Sequence, residues 1–302
     1  MSGLALLGAY GADLAFGDPK RMHPVAGFGL LAGRLERTAY APTRLRGALV
    51  AGVLVAWAAG AAQLLARWSS RDLALALAGW ASLGGRSLRA EARAVGALLA
   101  DGELDRARDR LGSLCGRDAG ELDEAELSRA VVESLAENTS DAVVGALFWG
   151  AVAGPAGVAA YRATNTLDAM FGHRSERYLQ FGWAAARLDD LMNWPVARLT
   201  ALLTGVAAPL LGGSVRVTLD TVRSDGRAHP SPNAGVTEAA FAGALGLRLG
   251  GPLKYGRQAE ARPFLGSGRP AVPEDIQRAS RLSFAVATLA ALVSAAMAEG
   301  RR

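Results

Sequence analysis

Residues Ala142–Tyr161 read AVVGALFWGAVAGPAGVAAY, a run without a single charge. A helix of this length can cross the hydrocarbon core of a bilayer. Gly154 and Pro155 stand in the middle of the run, and breaks of this kind occur in membrane helices whose backbone lines a cavity. The stretch therefore predicts either an ordinary span with a kink or a helix that breaks and turns back.

Other uncharged runs indicate that much of the chain lies in a membrane. Hydrophobic residues make up 51% of the 302 residues and charged residues 20%, which excludes a disordered chain. The runs Gly47–Ala66, Leu199–Val215 and Leu282–Ala298 are long enough to cross a bilayer, whereas Leu73–Gly85 is too short.

We therefore predict an all-α polytopic membrane protein with about four to six transmembrane helices, one of them broken or re-entrant. The chain is expected to form one membrane-embedded domain over residues 1–302, with a polar helical insertion at about 86–141 and a polar loop at about 216–281. No stretch alternates with the period of a strand, so no sheet is expected.

The charge distribution argues against a nucleic-acid partner. The formal net charge is +5, but the basic residues are scattered along the chain rather than clustered in a stripe. Arginines that flank membrane spans explain this balance better. The one cysteine, Cys115, excludes an intramolecular disulfide framework. The partner that the composition predicts is the lipid bilayer.

Polar residues that a membrane fold does not require fall into four clusters, of which the first follows the N-terminal apolar run. Asp18 and His23 each precede a proline, so they are expected to stand in a rigid polar turn. The structural alternative is that Asp18 only ends the first helix and His23 only lies at the membrane interface.

The second cluster reads ESLAENTSD from Glu133 to Asp141 and leads directly into the apolar run. On a helix, Glu133, Glu137 and Asp141 lie one turn apart on one face, with Asn138 beside them. Like charges at this spacing repel one another, and hard oxygen ligands in a row suit Mg²⁺ with bound phosphate. A solvated acidic face is the alternative, but ionisable groups at a membrane edge favour a functional site.

The third and fourth clusters combine arginines, amides and histidines, which suit contacts with phosphate or carboxylate groups. Simple ion pairs and the positive flanks of a span are the alternatives for the third cluster. Two prolines hold the centre of the fourth cluster extended. The candidate binding residues are Arg162, Asn165, Asp168, His173, Arg174, Arg177, Arg187 and Asp190 in the third cluster, and His229, Ser231, Asn233 and the later Lys254 in the fourth.

Taken in order, these motifs resemble the adenosylcobinamide-phosphate synthase family, the CobD/CbiB membrane proteins of cobalamin biosynthesis. The resemblance covers essentially the whole chain, and the combination is more specific than any single motif. The matching stretches are Gly17-Asp-Pro with His23-Pro-Val, Glu133-Ser with Glu137-Asn-Thr-Ser-Asp141, Tyr161-Arg-Ala with Asn165-Thr-Leu-Asp168-Ala-Met and Gly172-His173, Ala186-Arg187-Leu-Asp-Asp190 with Asn193-Trp-Pro-Val-Ala-Arg198, and His229-Pro-Ser-Pro-Asn233-Ala-Gly.

The resemblance implies a carbon–nitrogen ligase that uses ATP and Mg²⁺. Such an enzyme joins adenosylcobyric acid to (R)-1-amino-2-propanol O-phosphate, or to ethanolamine phosphate, and gives adenosylcobinamide phosphate. The chemistry needs cations that hold phosphates and a base for the amine. The alternative functions are a membrane carrier or a non-enzymatic sensor related to the family.

On this reading each cluster has an expected role. Glu133, Glu137 and Asp141 are expected to bind Mg²⁺ and the nucleotide. The phosphates would be bound by Arg162, Arg174, Arg177 and Lys254. Asp18 and the amide side chains would complete the substrate contacts. The residues expected to take part in catalysis are His23, Glu137, His173 and His229.

A single active site that uses ATP also constrains the topology of the chain in the membrane. A full crossing by Ala142–Tyr161 would put Asp141 and Arg162 on opposite sides of the membrane, whereas one active site needs them together. We therefore favour a broken or re-entrant helix here. The expected location is the inner membrane of a bacterial cell, with several spans, a site that faces the cytoplasm, and other membrane-associated enzymes of cobalamin assembly as partners.

Overall fold

The computed structural model describes residues 2–18, 23–115, 119–173, 175–255, 258–260 and 262–301. Of residues 253–255 and 258–260 it describes the backbone alone. Helices dominate this part of the chain and confirm the predicted all-α class. They are α1 (Gly3–Phe16), α2 (Pro24–Ala39), α3 (Arg44–Trp68), α4 (Arg71–Ser82), α5 (Gly85–Ala100), α6 (Leu104–Leu111), α7 (Glu124–Thr139), α8 (Gly145–Phe171), α9 (Tyr178–Phe181), α10 (Trp183–Ala207), α11 (Val215–Asp225), α12 (Ala234–Leu245) and α13 (Pro273–Glu299).

Short non-α turns continue two of these helices. A π-helical turn, Ser140–Val144, follows α7, and a 3₁₀ turn, Ala208–Leu211, follows α10. The residue contacts divide the chain into two compact units. Unit 1 comprises Met1–Gly84, Asp141–Asn193 and Ala290–Arg302, and unit 2 comprises Gly85–Ser140 and Trp194–Leu289.

Among the residues that the structure describes, four helical segments are long and apolar enough to cross a membrane, in agreement with the predicted polytopic class. They are Arg44–Trp68, Glu124–Phe171, Trp183–Leu211 and Pro273–Glu299. In the first segment, only 17% of the most apolar 18 residues are buried within the protein. The side chains of Leu49, Val53 and Trp57 are exposed on this helix. Exposed apolar side chains on so long a helix are typical of contact with lipid.

Helix α8 in unit 1 is a helical hairpin, because the chain reverses at Gly154. Gly154 has φ 69° and ψ −152°, a conformation that only glycine adopts readily, and Pro155 begins the second arm. The two arms pack side by side, since a Cβ at Gly145 would overlap the ring of Tyr161. The predicted break is therefore confirmed, and it is a full reversal.

Unit 2 is built around α12, every residue of which is buried. Helix α7 packs against it and carries ten buried residues, although it lies in the segment predicted to be a polar helical insertion. At the start of α13, Arg269 forms a bidentate pair with the fully buried carboxylate of Asp275, at 2.6 and 2.9 Å. These hydrogen bonds raise the pKa of Arg269 above its ordinary value.

The expectation that the chain contains no strand is wrong in one place, the polar loop of unit 2. Leu249–Gly250 pairs antiparallel with Phe264–Leu265, and Leu253–Tyr255 pairs with Gln258–Glu260. Strands of two or three residues are too short to show an alternating pattern, so the sequence contains no signal for them. Leu249–Gly250 packs against α7 and α12, and Phe264–Leu265 packs against α11 and α12.

The hairpin predicts that Gly145→Ala lowers the melting temperature of the detergent-solubilised protein. Forcing a methyl group against the Tyr161 ring is expected to cost about 1–3 kcal/mol. Gly52→Ala on α3 is the matched control, because a Cβ there meets nothing within 4 Å. Equal melting temperatures for the two variants would contradict the packing of the arms.

The hairpin also predicts that both of its ends face the same side of the membrane. In a Cys115→Ser background, Ala142→Cys and Ala169→Cys are expected to react with a membrane-impermeant maleimide added to one and the same side. Gly52→Cys, in the middle of a lipid-exposed helix, is expected to stay unlabelled. Labelling of the first two cysteines from opposite sides would show that α8 crosses the membrane.

Candidate functional site

The open ends of the two hairpin arms in unit 1 bring together polar side chains from three parts of the sequence. Asp141 lies in the π-helical turn before α8, and Tyr161, Arg162 and Asn165 lie on the second arm. The first turns of α10 add Asp189 and Asn193, and we call these six residues the hairpin cluster. The reversal at Gly154 is what places Asp141 beside residues twenty and more positions later.

A chain of hydrogen bonds fixes one side of the hairpin cluster. The Tyr161 hydroxyl lies 2.7 Å from Asn193 Oδ1 and 3.1 Å from the backbone carbonyl oxygen of Asp141. Asn193 Nδ2 donates to Asp189 Oδ2 at 2.9 Å. Tyr161 and Asn193 are both buried, so their polar atoms need these partners. This chain of hydrogen bonds holds the Asp189 carboxylate in a fixed orientation.

Asn165 connects the two carboxylates of the cluster with its arginine. Its Nδ2 lies 3.3 Å from Asp141 Oδ2 and 3.5 Å from Asp189 Oδ1, while its Oδ1 accepts a hydrogen bond from Arg162 Nη1 at 3.2 Å. Both carboxylates therefore lie around one amide nitrogen, and neither contact is short.

Two atoms next to this arrangement have unmet hydrogen-bonding capacity. Asp18 and Asp141 both interact electrostatically with Arg162. Arg162 Nε and Asp18 Oδ1 are nevertheless buried without a hydrogen-bond partner among the described residues. Buried polar atoms are rarely left without a partner, so a bound ligand or water is expected beside them.

The sequence motifs contain every member of the hairpin cluster, but our candidate list omitted Tyr161, Asp189 and Asn193. Asp190, which the sequence analysis names, lies 3.5 Å from Arg187, and its neighbour Asp189 is the carboxylate that meets Asn165 and Asn193. The i, i+4 spacing of Asp189 and Asn193 was the signal that could have revealed the shared face of α10.

The acidic residues of the second cluster that precede the π-helical turn lie in different surroundings in unit 2. Glu133 is buried in unit 2, accepts the backbone N–H of Gly250 at 2.8 Å and lies 3.7 Å from Arg129 Nε. Glu137 is exposed, and Asn138 donates to the backbone of Ser134. Among the described residues, no three or more histidine, cysteine or acidic side chains form a metal-binding group.

The fourth cluster forms a second polar group, in unit 2, before and within the first turn of α12. Arg198 donates to Asn233 Oδ1 at 2.7 Å, and the Ser231 hydroxyl accepts the N–H groups of Asn233 and Ala234. The buried ring of His229 lies between the backbone of Ser231 and Arg262, whose Nη1 is 3.2 Å from His229 Nε2. A guanidinium only donates, so this nitrogen accepts and is occupied.

The other candidates of unit 1 lie outside the hairpin cluster. His23 caps the N-terminus of α2, because its Nδ1 accepts the N–H of Val25 at 3.1 Å. His173 is exposed, and Asp168 lies beside Gly172 at the end of α8. Arg177 pairs with the buried Glu36 at 2.7 Å, which raises the pKa of Arg177 above its ordinary value. Arg174 and the side chain of Lys254 lie outside the described residues.

Comparison with known proteins identifies the family. A family model described as CobD/Cbib protein matches residues 6–283, which is nearly the whole chain. The chain belongs to the CobD/CbiB family. The family resemblance inferred from the motifs is thereby confirmed.

Curated relatives of this CobD/CbiB chain are similar along almost their full lengths. A protein of Mycobacterium tuberculosis named "Cobalamin biosynthesis protein CobD" is 48% identical over 96% of this chain and 94% of its own length. Proteins of the same name from Chromobacterium violaceum and Pelobacter propionicus are 46% and 41% identical, over 89% and 95% of this chain and 88% and 92% of their own lengths. No solved structure matches the chain.

The buried position of Glu133 predicts that it acts as a structural residue. Glu133→Ala is expected to lower the melting temperature, because an unpaired buried N–H at Gly250 costs about 1–3 kcal/mol. Glu133→Gln keeps a carbonyl oxygen for that N–H and is expected to melt closer to wild type. A Gln variant as unstable as the Ala variant would show that the charge of Glu133 is what matters.

Proposed function

We propose that this CobD/CbiB chain is a cobalamin-biosynthetic ligase of the membrane. It would use ATP to join a carboxylate of adenosylcobyric acid to the amine of (R)-1-amino-2-propanol O-phosphate or of ethanolamine phosphate. The names of the curated relatives support the pathway. The observation that carries the chemistry is the hairpin cluster, which gathers carboxylates, amides and a guanidinium at the ends of an apolar hairpin.

The proposed reaction has two steps. The corrin carboxylate attacks the terminal phosphorus of ATP, which releases ADP and leaves an acyl phosphate. The amine nitrogen then attacks the acyl carbon, the bond from that carbon to the phosphate oxygen breaks, and inorganic phosphate leaves with the electron pair. Both steps need positive charge near phosphoryl oxygens and an acceptor for a proton of the amine.

In unit 1, Arg162 is suited to the first of these tasks. Its guanidinium is permanently charged, and its buried Nε, whose N–H has no partner among the described residues, can donate to a phosphoryl oxygen. Asn165 holds its Nη1 and so orients the side chain. The carboxylates of Asp141 and Asp189 are suited to the second task, because carboxylates accept protons and bind ammonium groups.

Magnesium would enter with the nucleotide. Protein sites for this ion commonly supply only one or two carboxylates, while phosphate oxygens and water complete the octahedron. This form of binding needs no dedicated cage, which agrees with the absence of a three-residue acidic or histidine group among the described residues. We do not propose Glu133 as a ligand, because Gly250 and Arg129 occupy it.

The fourth cluster, taken within unit 2 alone, would bind a phosphate or carboxylate group. Arg198 is oriented by Asn233, and Arg262 by His229, so two guanidinium groups are fixed in unit 2. Fixed guanidinium groups bind phosphate and carboxylate through paired hydrogen bonds. His229 would act as a positioning residue, because its Nε2 is already occupied by Arg262.

The proposed function also predicts where in the cell the protein lies and which side its site faces. Because ATP is a substrate, the site would open to the cytoplasm, and the apolar helices would lie in the inner membrane. The relatives are bacterial, and other membrane-associated enzymes of cobalamin assembly are the expected partners.

The test is a reaction with detergent-purified protein, Mg-ATP, adenosylcobyric acid and aminopropanol phosphate. ADP release and product mass are followed together, and the expected result is the condensation mass with one ADP per product. Arg162→Gln is expected to lower kcat/KM by at least about 100-fold, as for loss of a phosphoryl-binding charge. Arg216→Gln, at an exposed site on α11, is the matched control.

The assay separates the ligase from the carrier and sensor alternatives. Neither ADP nor product from folded wild-type protein would contradict the ligase and favour a carrier or sensor. Turnover that survives in Arg162→Gln at the level of the control would leave the ligase intact and remove the role of Arg162.

A further inference from the structure

Four exposed arginines lie at one end of the helix pair α2 and α3 in unit 1. Residues 40–43 alone join the two helices, and the ring of Phe28 stacks on that of Trp57 with 6.5 Å between centroids, so α2 and α3 run antiparallel. The end of α2 therefore lies beside the start of α3. We call the exposed arginines of this end the α2–α3 basic patch; they are Arg34 and Arg37 on α2, and Arg44 and Arg46 on α3.

No carboxylate of the described residues forms an ion pair with any arginine of the patch. Arg44 instead donates to Gln180 Oε1 at 3.1 Å and lies over the ring of Trp183. Glu36, on α2 itself, is buried and pairs with Arg177. The residues of unit 1 outside the described ranges include no aspartate or glutamate, so they cannot supply a balancing charge. The positive charge of the patch is therefore available to an anionic partner.

An exposed apolar stripe on α3 begins inside the patch. Its members follow one another at intervals of four residues, so they lie along one face of the helix, and each side chain is more than half exposed. They are Leu45, Leu49, Val53 and Trp57. Successive residues of a helix are about 100° apart, so Arg44 and Arg46 lie on either side of Leu45. The first residue of the stripe is thus flanked by two guanidinium groups.

The stripe and the patch together specify the chemistry of the partner. A soluble anion would contact the arginines alone and would leave the stripe uncovered. An anionic phospholipid offers phosphate oxygens to the guanidinium groups and acyl chains to the stripe. Clusters of four or more basic residues at the end of a membrane helix are typical of binding to such lipids. Trp183, which is exposed beside Arg44, is of the residue type enriched at the depth of the head groups.

We propose that the α2–α3 basic patch binds the head group of an anionic phospholipid whose acyl chains lie along the stripe from Leu45 to Trp57. The phosphate oxygens would accept hydrogen bonds from Arg44 and Arg46, and the two arginines of α2 would add attraction from the side. This site is separate from the hairpin cluster, so failure of the lipid proposal would leave the proposed ligase reaction unchanged.

The experiment is native mass spectrometry of the purified full-length protein in a neutral detergent, with phosphatidylglycerol and phosphatidylcholine supplied at equal concentrations. Wild-type protein is expected to retain phosphatidylglycerol in preference. The double variant Arg44→Gln with Arg46→Gln is expected to reduce this preference by about 25-fold, because each basic residue near an anionic lipid adds about fivefold. Arg34→Gln with Arg37→Gln is expected to reduce the preference in the same direction.

The matched control removes two exposed arginines at the opposite end of α3, in the double variant Arg67→Gln with Arg71→Gln. It is expected to keep the wild-type preference. A loss as large as that in the patch variants would show that only overall charge matters and would overturn the proposal. Equal retention of both lipids by wild-type protein would also overturn it. All four patch arginines are exposed, and melting temperatures check that each variant is folded.

A competition measurement distinguishes a lipid from a soluble anion. The competitors are inorganic phosphate and glycerophosphoglycerol, which is the head group of phosphatidylglycerol without its acyl chains. Each is expected to need at least about a 100-fold higher concentration than the lipid, because it cannot bury the apolar stripe. Displacement of the lipid by either competitor at a similar concentration would show that the patch binds a free phosphate, and the lipid site would be overturned.

Discussion

The rest of unit 1 depends on the reversal of the backbone at Gly154. In an apolar environment every backbone N–H and C=O must be hydrogen-bonded within the protein, so a chain can turn there only between two helical arms. Glycine supplies the positive φ of the turn, and proline starts the second arm without needing a donor. The narrow contact between the arms then requires Gly145 opposite Tyr161.

The reversal also explains why charged side chains can occur at this point of the chain. It places Asp141 next to Tyr161 and Asn165, where hydrogen bonds and an opposite charge lower the cost of burial. The cost is lowered but not removed, since Arg162 Nε and Asp18 Oδ1 stay without partners among the described residues. Incomplete compensation of this kind is typical of a binding site rather than of a structural ion pair, for which Arg269 and Asp275 are the contrasting example.

The sequence predicted the fold class and the family, and it located the break in the apolar run. Spacing along the chain could not show which polar side chains meet, for a physical reason. Spacing along a helix identified Glu133, Glu137 and Asp141 as one face, but the π-helical turn at Ser140–Val144 changes the register between Glu137 and Asp141. Likewise Asp189 and Asp190 are equivalent by composition, and only the direction of α10 decides which carboxylate meets Asn165.

The sequence by itself therefore determined the properties that depend on composition and local chemistry: the apolar helices, the helix-breaking Gly154-Pro155, and the motifs that mark the CobD/CbiB family. The tertiary structure alone decided which polar residues meet. Hydrophobicity and propensity act along the chain, whereas the hydrogen bonds of Asn165 and Asn193 join residues whose proximity arises only when the hairpin has closed and α10 has packed beside it.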